Sequence, residues 1–371
     1  MKKFTVLLST TALVLSLAVS GFASDTIKLG VAGPHSGDLA PYGIPAMKAA
    51  QLVVKKVNAN GGVLGKQVEL LIQDDQCKPE IATNTATKLV TEGVHVVLGH
   101  ICSGATKAAL GIYKDAKIPV MSPSATNPPL TQSGDYPNFF RTIASDDLQA
   151  QMAVDVAINT LGFTKIAVLH DKGDYGKGFA EFVKKYLEES GKAEVVLFEG
   201  VTPGAMDYSS IVQKVRREKA EALIFGGYHP EASKLVSQMK RKRLKTVFIS
   251  DDGVQDDSFL KVAGAAANGA YVTGPRDMSN IALNALATKE FKAEYGAEPG
   301  QFYQEAYSAT LALLNAIEKA GSTDYDAVTN VLRTQYVDTP VGSIKFDSKG
   351  DAEGVGFSIY KVEDGAFKEL K

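Results

Sequence analysis

Apolar residues in this chain fall into two kinds of run. Short, nearly continuous blocks rich in valine and isoleucine alternate with longer stretches whose apolar residues return every three or four positions. The blocks are Ile27–Ala32, Val68–Asp74, Val94–Leu98, Ile118–Met121 and Phe139–Thr142, then Ile166–His170, Val195–Glu199, Ala222–Phe225, Thr246–Ser250 and Tyr271–Pro275. Buried parallel strands read this way, because both their faces are covered. Between them, Ala46, Ala50, Val53, Val54 and Val57 recur at helical spacing, and Asn60-Gly61-Gly62 stops that helix. Helices are expected over Pro79–Thr91, Ala105–Ala116, from Asp146, and over Gly178–Glu189, Ser209–Glu218 and Pro230–Arg243. Helical stretches at Phe291–Tyr295, Phe302–Ala320 and Tyr325–Leu332, and closing strands at Ile344–Phe346 and Phe357–Val362, complete the reading. The alternation predicts α/β architecture with two doubly wound parallel-sheet lobes.

The pattern points to one stretch above others. Val94–Thr126 reads strand, loop, helix, strand, loop. Ser103 stands where the helix begins, a place that favours a small hydroxyl, and Ser122-Pro-Ser-Ala-Thr126 follows the next strand. Alone, Ser103 reads as an N-cap and the second segment as a turn. Together they place hydroxyls and free backbone N–H groups at neighbouring strand ends, where a helix dipole is positive and a small carboxylate is welcome.

The GHICSGAT and SPSATNPPLT segments, with the NANGG…VELLIQDD pattern ending at Asp75, resemble the periplasmic leucine/isoleucine/valine-binding proteins of bacterial ABC importers. The resemblance covers nearly the whole chain after its leader. It implies two lobes joined by three crossings, near Ile143, Pro275 and Val341, with a ligand cleft between them. The lobes would be residues 24–142 with 276–341, and residues 143–275 with 342–371. It further implies a monomeric receptor that closes on an amino acid and presents it to permease subunits in the inner membrane, with no cofactor.

Candidate ligand residues follow from the same resemblance. Ser103 and Thr126 match carboxylate-binding positions, and Ser124 and Ala125 the adjoining backbone contacts. Tyr175 in HDKGDYGKG and Tyr228 in IFGGYHPE match aromatic covers; Tyr42 and Phe302 match positions beside the ligand side chain. Asp252 in FISDDGVQDD matches the carboxylate for the ligand ammonium, where the leucine-type proteins have glutamate. The loss of one methylene shortens the reach by about 1.5 Å. Asp251 is the neighbouring candidate. Tyr303, Gln304, Glu305 and His35-Ser36 also depart from the family pattern. With Asp252, they keep open another small solute: an amide, urea, an aromatic acid or a polar amino acid. A soluble sensor module is a further alternative.

Composition changes this picture little. The 371 residues are 45% hydrophobic and 22% charged, enough for about two domains. Met1–Ala23 has a basic start at Lys2 and Lys3, an apolar middle and small residues before a cut after Ala23, as in a secretory leader. Without those lysines 38 basic residues face 42 acidic, and nothing suggests nucleic acid. An exported chain whose two cysteines are Cys77 and Cys102 most simply pairs them, and the resembling proteins carry a disulfide there. The five histidines follow no metal-ligand spacing, although His100 and His170 stand at strand ends where they could order loops. Neither a G-x-S-x-G elbow nor a dinucleotide glycine fingerprint is present, so an enzyme is not expected. GGVLGK precedes a strand and lacks the phosphate-loop spacing. The basic run Lys240–Lys245 reads as cations at a helix C-terminus.

Overall fold

The computed structural model describes residues 26–370; the expected leader and its cut after Ala23 lie outside them. Among the described residues no helix is long and apolar enough to cross a membrane.

The first sheet contains β1 (Ile27–Gly33), β2 (Val68–Asp74), β3 (Val96–Leu98), β4 (Val120–Ser122) and β5 (Phe139–Arg141). All its pairings are parallel, in the order β2-β1-β3-β4-β5. Helices α1 (Ala40–Ala59), α2 (Pro79–Thr91), α3 (Ser103–Asp115) and the short α4 (Pro129–Gln132) make the crossovers. Pro41 sits in the first turn of α1, where its missing N–H costs nothing.

The chain then crosses to a second lobe. There α5 (Asp146–Asp155), β6 (Lys165–His170), α6 (Asp174–Ser190), β7 (Glu194–Gly200), α7 (Ser209–Arg217) and β8 (Ala222–Gly226) repeat the alternation. They are followed by α8 (His229–Arg241), β9 (Val247–Ser250), α9 (Asp257–Ala263) and β10 (Tyr271–Pro275). The five parallel strands run β7-β6-β8-β9-β10, the same order as in the first lobe. Two doubly wound parallel-sheet lobes are what the chain forms, and the closing strands add an antiparallel edge to the second. The second sheet is mixed, because β13 (Phe357–Glu363) and β14 (Ala366–Glu369) extend it antiparallel beyond β10.

Between these, the chain returns to the first lobe as α10 (Ala282–Tyr295), α11 (Tyr303–Ala320), α12 (Tyr325–Thr334) and the hairpin of β11 (Val337–Thr339) and β12 (Gly342–Ile344). The last crossing lies later than the expected Val341. Ile344, Phe346 and Ala352 are buried in the first lobe's core, and the Phe346 ring meets Phe140 edge-on at 5.4 Å. Apolar packing holds the segment there until it leaves near Val355, beside β13.

Cys77 and Cys102 are bonded, with Cα atoms 5.5 Å apart. The bridge ties the loop after β2 to the start of α3. His100 braces the same corner: its Nδ1 meets Asp75 Oδ2 at 2.6 Å, and Asp75 Oδ1 accepts the Cys77 N–H. The bridge closes a separation of 25 residues. Replacing both cysteines with alanine is expected to lower stability by roughly 3 kcal/mol, read as a lower midpoint in urea.

Candidate ligand-binding site

Identical strand order gives each lobe a switch point where crossovers leave in opposite directions. In the first lobe it lies between β1 and β3, in the second between β6 and β8. Such points open a crevice at the carboxyl ends of the strands. The two crevices face each other. Tyr42 enters from α1, Ser103 from the start of α3, Tyr175 from α6, and Tyr228 from the loop after β8. Gly176 and Gly226 make the second-lobe approach close: a Cβ on Gly226 would stand 2.1 Å from the Gly176 carbonyl.

One cavity is lined by Tyr42, Ser103, Ser124, Tyr175, Tyr228, Asp252 and Phe302, together with Ile101, Cys102 and Gly253. Seven of the nine residues expected to meet a ligand therefore share one wall system. Ala125 and Thr126 sit just behind it, and both are fully buried. The Ala125 N–H is spent on Ser122 Oγ at 2.9 Å, and the Ser124 hydroxyl donates to Ile101 O at 2.8 Å. These two bonds shape the loop rather than leaving its groups free. The Thr126 hydroxyl is buried and has no partner. Ser103 is not the N-cap: it is the first residue of α3, and Cys102 precedes the helix. Its Oγ instead accepts the Asn127 N–H at 3.3 Å, joining the two first-lobe loops. The N–H groups of that first turn still lack helical acceptors.

The lobes touch across this cavity. Tyr42 Oη donates to Gly253 O at 2.5 Å, Gln301 Nε2 to Asp252 O at 2.6 Å, and Asn127 Nδ2 to Asp174 O at 2.5 Å. Lys107 and Asp174 form an ion pair at 2.8 Å at the mouth. The space enclosed is about 10 Å³ for the centre of a water molecule, room for roughly one water. Anything larger enters by parting the walls, which the three crossings between the lobes permit.

The aromatic wall is continuous. Tyr42 packs on Tyr228 and Phe302 at 5.9 Å each, and Tyr175 on Tyr228 at 5.1 Å. Burial pushes the hydroxyls of these three tyrosines well above the usual range, so they act as neutral donors. Asp252 supplies the charge. Its Oδ1 accepts from Tyr175 Oη at 2.5 Å and Gln149 Nε2 at 3.1 Å, while Oδ2 has no partner. Burial raises its carboxyl to about 6.

Sequence reasoning missed several residues here. Arg141 is fully buried and donates to Ala125 O at 3.3 Å, Asn127 O at 3.1 Å and Thr131 Oγ1 at 2.8 Å, while its Nε meets Asp351 Oδ1 at 2.5 Å. It fastens the whole loop after β4. The only signal was a cation inside the apolar run FFRT. The sequence marks Asp146 only as a helix start, and Gln149, one turn on, carries no signal in it. His229 lies edge-on to Tyr42 at 5.5 Å with neither ring nitrogen partnered.

The unusual residues after Phe302 turn elsewhere. Tyr303 Oη donates to Ala287 O, Gln304 Nε2 to Thr288 Oγ1, and Glu305 lines a separate small cavity at the crossings with Thr142 and Val341. His35 and Ser36 donate to Asp74. None of the five lines the aromatic cavity.

Residues 26–366 match the family model described as periplasmic binding protein. A leucine-, isoleucine-, valine-, threonine- and alanine-binding protein of Pseudomonas aeruginosa is 38% identical over the full length of both chains. The Leu/Ile/Val-binding protein of Escherichia coli is 34% identical, covering 93% of this chain and 94% of its own. Among solved structures, the branched-chain amino acid transporter substrate-binding protein LivJ of Streptococcus pneumoniae, in complex with isoleucine, superposes with a TM-score of 0.81. It is 29% identical and covers 93% of this chain and 100% of its own.

Proposed function

We propose, from the premise that this chain belongs to the periplasmic binding protein family, that it is the solute receptor of an ABC importer and takes leucine, isoleucine or valine. The ligand carboxylate would meet Ser103, Thr126 and the first turn of α3. The ammonium would meet Asp252, and the side chain would lie against Tyr42, Tyr228 and Phe302. Tyr175 closes the cavity from the second lobe. Binding to both lobes shifts the population toward the closed form, which the permease receives. The receptor works in the periplasm and performs no chemistry on its cargo.

One observation carries this reading. A single cavity between the lobes has hydroxyls and helix N–H groups on one side, an unpaired carboxylate oxygen on the other, and aromatic faces between them. That arrangement complements a zwitterion with an apolar tail. A ligand without a cationic centre, such as an aromatic acid, leaves Asp252 buried without a counter-charge.

A thermal-shift panel of the common amino acids on the protein without its leader tests the reading. Leucine, isoleucine and valine are expected to raise the melting temperature by several degrees. At a ligand concentration one hundred times the dissociation constant the stabilisation is about 2.7 kcal/mol. Ser103→Ala with Thr126→Ala is expected to abolish the shift. A flat panel would reject the amino-acid assignment, and recovery of chemically altered ligand would reject a pure receptor.

A further inference from the structure

One charged stretch of the chain takes no part in the ligand cavity. Five of the six residues Lys240–Lys245 are cationic, in a chain of formal charge −2. Helix α8 ends at Arg241, so Arg243 and Lys245 stand beyond it. A helix dipole acts within the last turn, which accounts for Lys240 and Arg241 but not for those two. The end of α7 adds Arg216 and Arg217, with Lys219 just past it. Arg216 Nη2 donates to Lys242 O, so the two helix ends touch and form one basic face.

Little on the protein neutralises that face. Glu218 pairs with Arg217 at 3.2 Å, and Asp207 faces Arg241 and Lys242 while accepting the Ser209 N–H. Glu221 turns its carboxylate to the Thr164 and Lys165 N–H groups. Among the described residues no carboxylate forms an ion pair with the run Lys240–Lys245. Beside the run, between the end of α8 and the start of β9, lies a groove of about 310 Å³ for the centre of a water molecule. Its lining includes the apolar Val236, Met239, Leu244 and Phe248, with Lys240 and Lys245 among them. Lys240 Nζ donates to Ala265 O at 2.6 Å, which joins two of the groove's walls. Apolar surface and unpaired cations thus occur together.

We propose that this end of the second lobe is a docking surface for an anionic lipid bilayer, on which the protein rests reversibly while its cleft stays free. Strand β9 starts in the groove at Val247 and ends at Ser250, beside the segment carrying Asp252. The groove and the ligand cavity therefore lie at opposite ends of one sheet. Lipid phosphates meet the exposed cations, and the apolar wall takes the glycerol and acyl part of a lipid beneath them. An acidic protein segment satisfies the charges but leaves that wall uncovered. The docking does not depend on what the cavity binds.

Co-sedimentation of the protein without its leader tests this, using vesicles of phosphatidylcholine alone or mixed with phosphatidylglycerol. At low salt the anionic vesicles are expected to take up roughly tenfold more protein than the neutral ones, or better. The excess should shrink as ionic strength passes about 0.15 M, where charges are screened over about 8 Å. One cation near the surface is worth about fivefold in such partitioning, so Arg241→Gln, Arg243→Gln and Lys245→Gln combined should cost roughly tenfold or more. All three side chains are exposed, and the urea midpoint should hold. Lys78→Gln, Lys289→Gln and Lys319→Gln combined remove the same charge from the exposed surface of the first lobe and should leave vesicle uptake nearly unchanged. Equal uptake by neutral and anionic vesicles, or equal losses in the two triple variants, would overturn the proposal. So would tighter binding to soluble polyglutamate than to anionic vesicles, which would assign the face to an acidic protein partner.

Discussion

Replacing Arg141 with methionine is expected to cost about 2–4 kcal/mol of stability, because buried acceptors lose their donor while the partner carboxylate is only partly exposed. The side chain is wholly enclosed and satisfies four acceptors on three segments. Methionine fills much of the volume but leaves the Ala125 and Asn127 carbonyls without that donor. Asp351 keeps the Thr131 hydroxyl and is partly exposed, so its own loss is smaller. The larger consequence is functional. The loop carrying Ser124 and Thr126 is fastened to the sheet by these bonds, so leucine affinity should fall more than tenfold even in the folded fraction. Arg141→Lys should recover part of the stability and little of the affinity, because an ammonium cannot span the fork of acceptors. Urea denaturation with and without leucine separates the two effects. A methionine variant with wild-type midpoint and wild-type ligand shift would remove Arg141 from this account.

That residue also marks where reading the chain reaches its limit. Strands and helices were legible because their apolar spacing is nearly pure. Val68–Asp74 and Pro79–Thr91 run as expected, and the β3 and β4 blocks differ by a residue or two at their ends. Ser103 and the loop from Ser122 to Thr126 were legible because they stand next to strand ends; the other cavity residues were named by the resemblance to the family. What spacing cannot show is where a polar side chain turns once it is buried. Arg141 lies in an apolar strand and reaches sideways to another loop. Tyr303, Gln304 and Glu305 follow Phe302 directly in sequence, yet the helix carries them around to other partners. Their polarity bears on the packing of α11 and the crossings, not on the cavity wall. The third crossing was misplaced for a related reason. Ile344–Phe346 looks like a strand wherever it packs, and the burial of Ile344 and Phe346 in the first lobe's core, with the Phe140 contact and the Arg141–Asp351 pair, shows that it stays there.

Asp252→Asn should move two measurements in opposite directions. The carboxylate is buried, and its folded value of about 6 lies above that of an ordinary aspartate. The closed form therefore binds a proton that the unfolded or opened chain releases near pH 4. Above pH 6 the wild-type protein carries the full penalty of an ionised, uncompensated group, on the order of 3 kcal/mol against closure. The penalty shrinks between pH 6 and pH 4 and vanishes below, where the group is protonated in every state. Asparagine accepts from Tyr175 and Gln149 without the charge. At pH 7.5 the ligand-free variant should be more stable than the wild type and more often closed, seen as a higher melting temperature and a smaller radius of gyration in solution scattering. At pH 4 the two should coincide. Leucine affinity should move the other way and fall on the order of 100-fold, because the ammonium loses a buried, hydrogen-bonded counter-charge. The opposition follows from one cause: the burial that makes an ionised Asp252 oppose closure also makes it a strong counter-charge for the ligand. A variant that binds leucine normally, or that loses affinity without any gain in ligand-free stability at pH 7.5, would break that link.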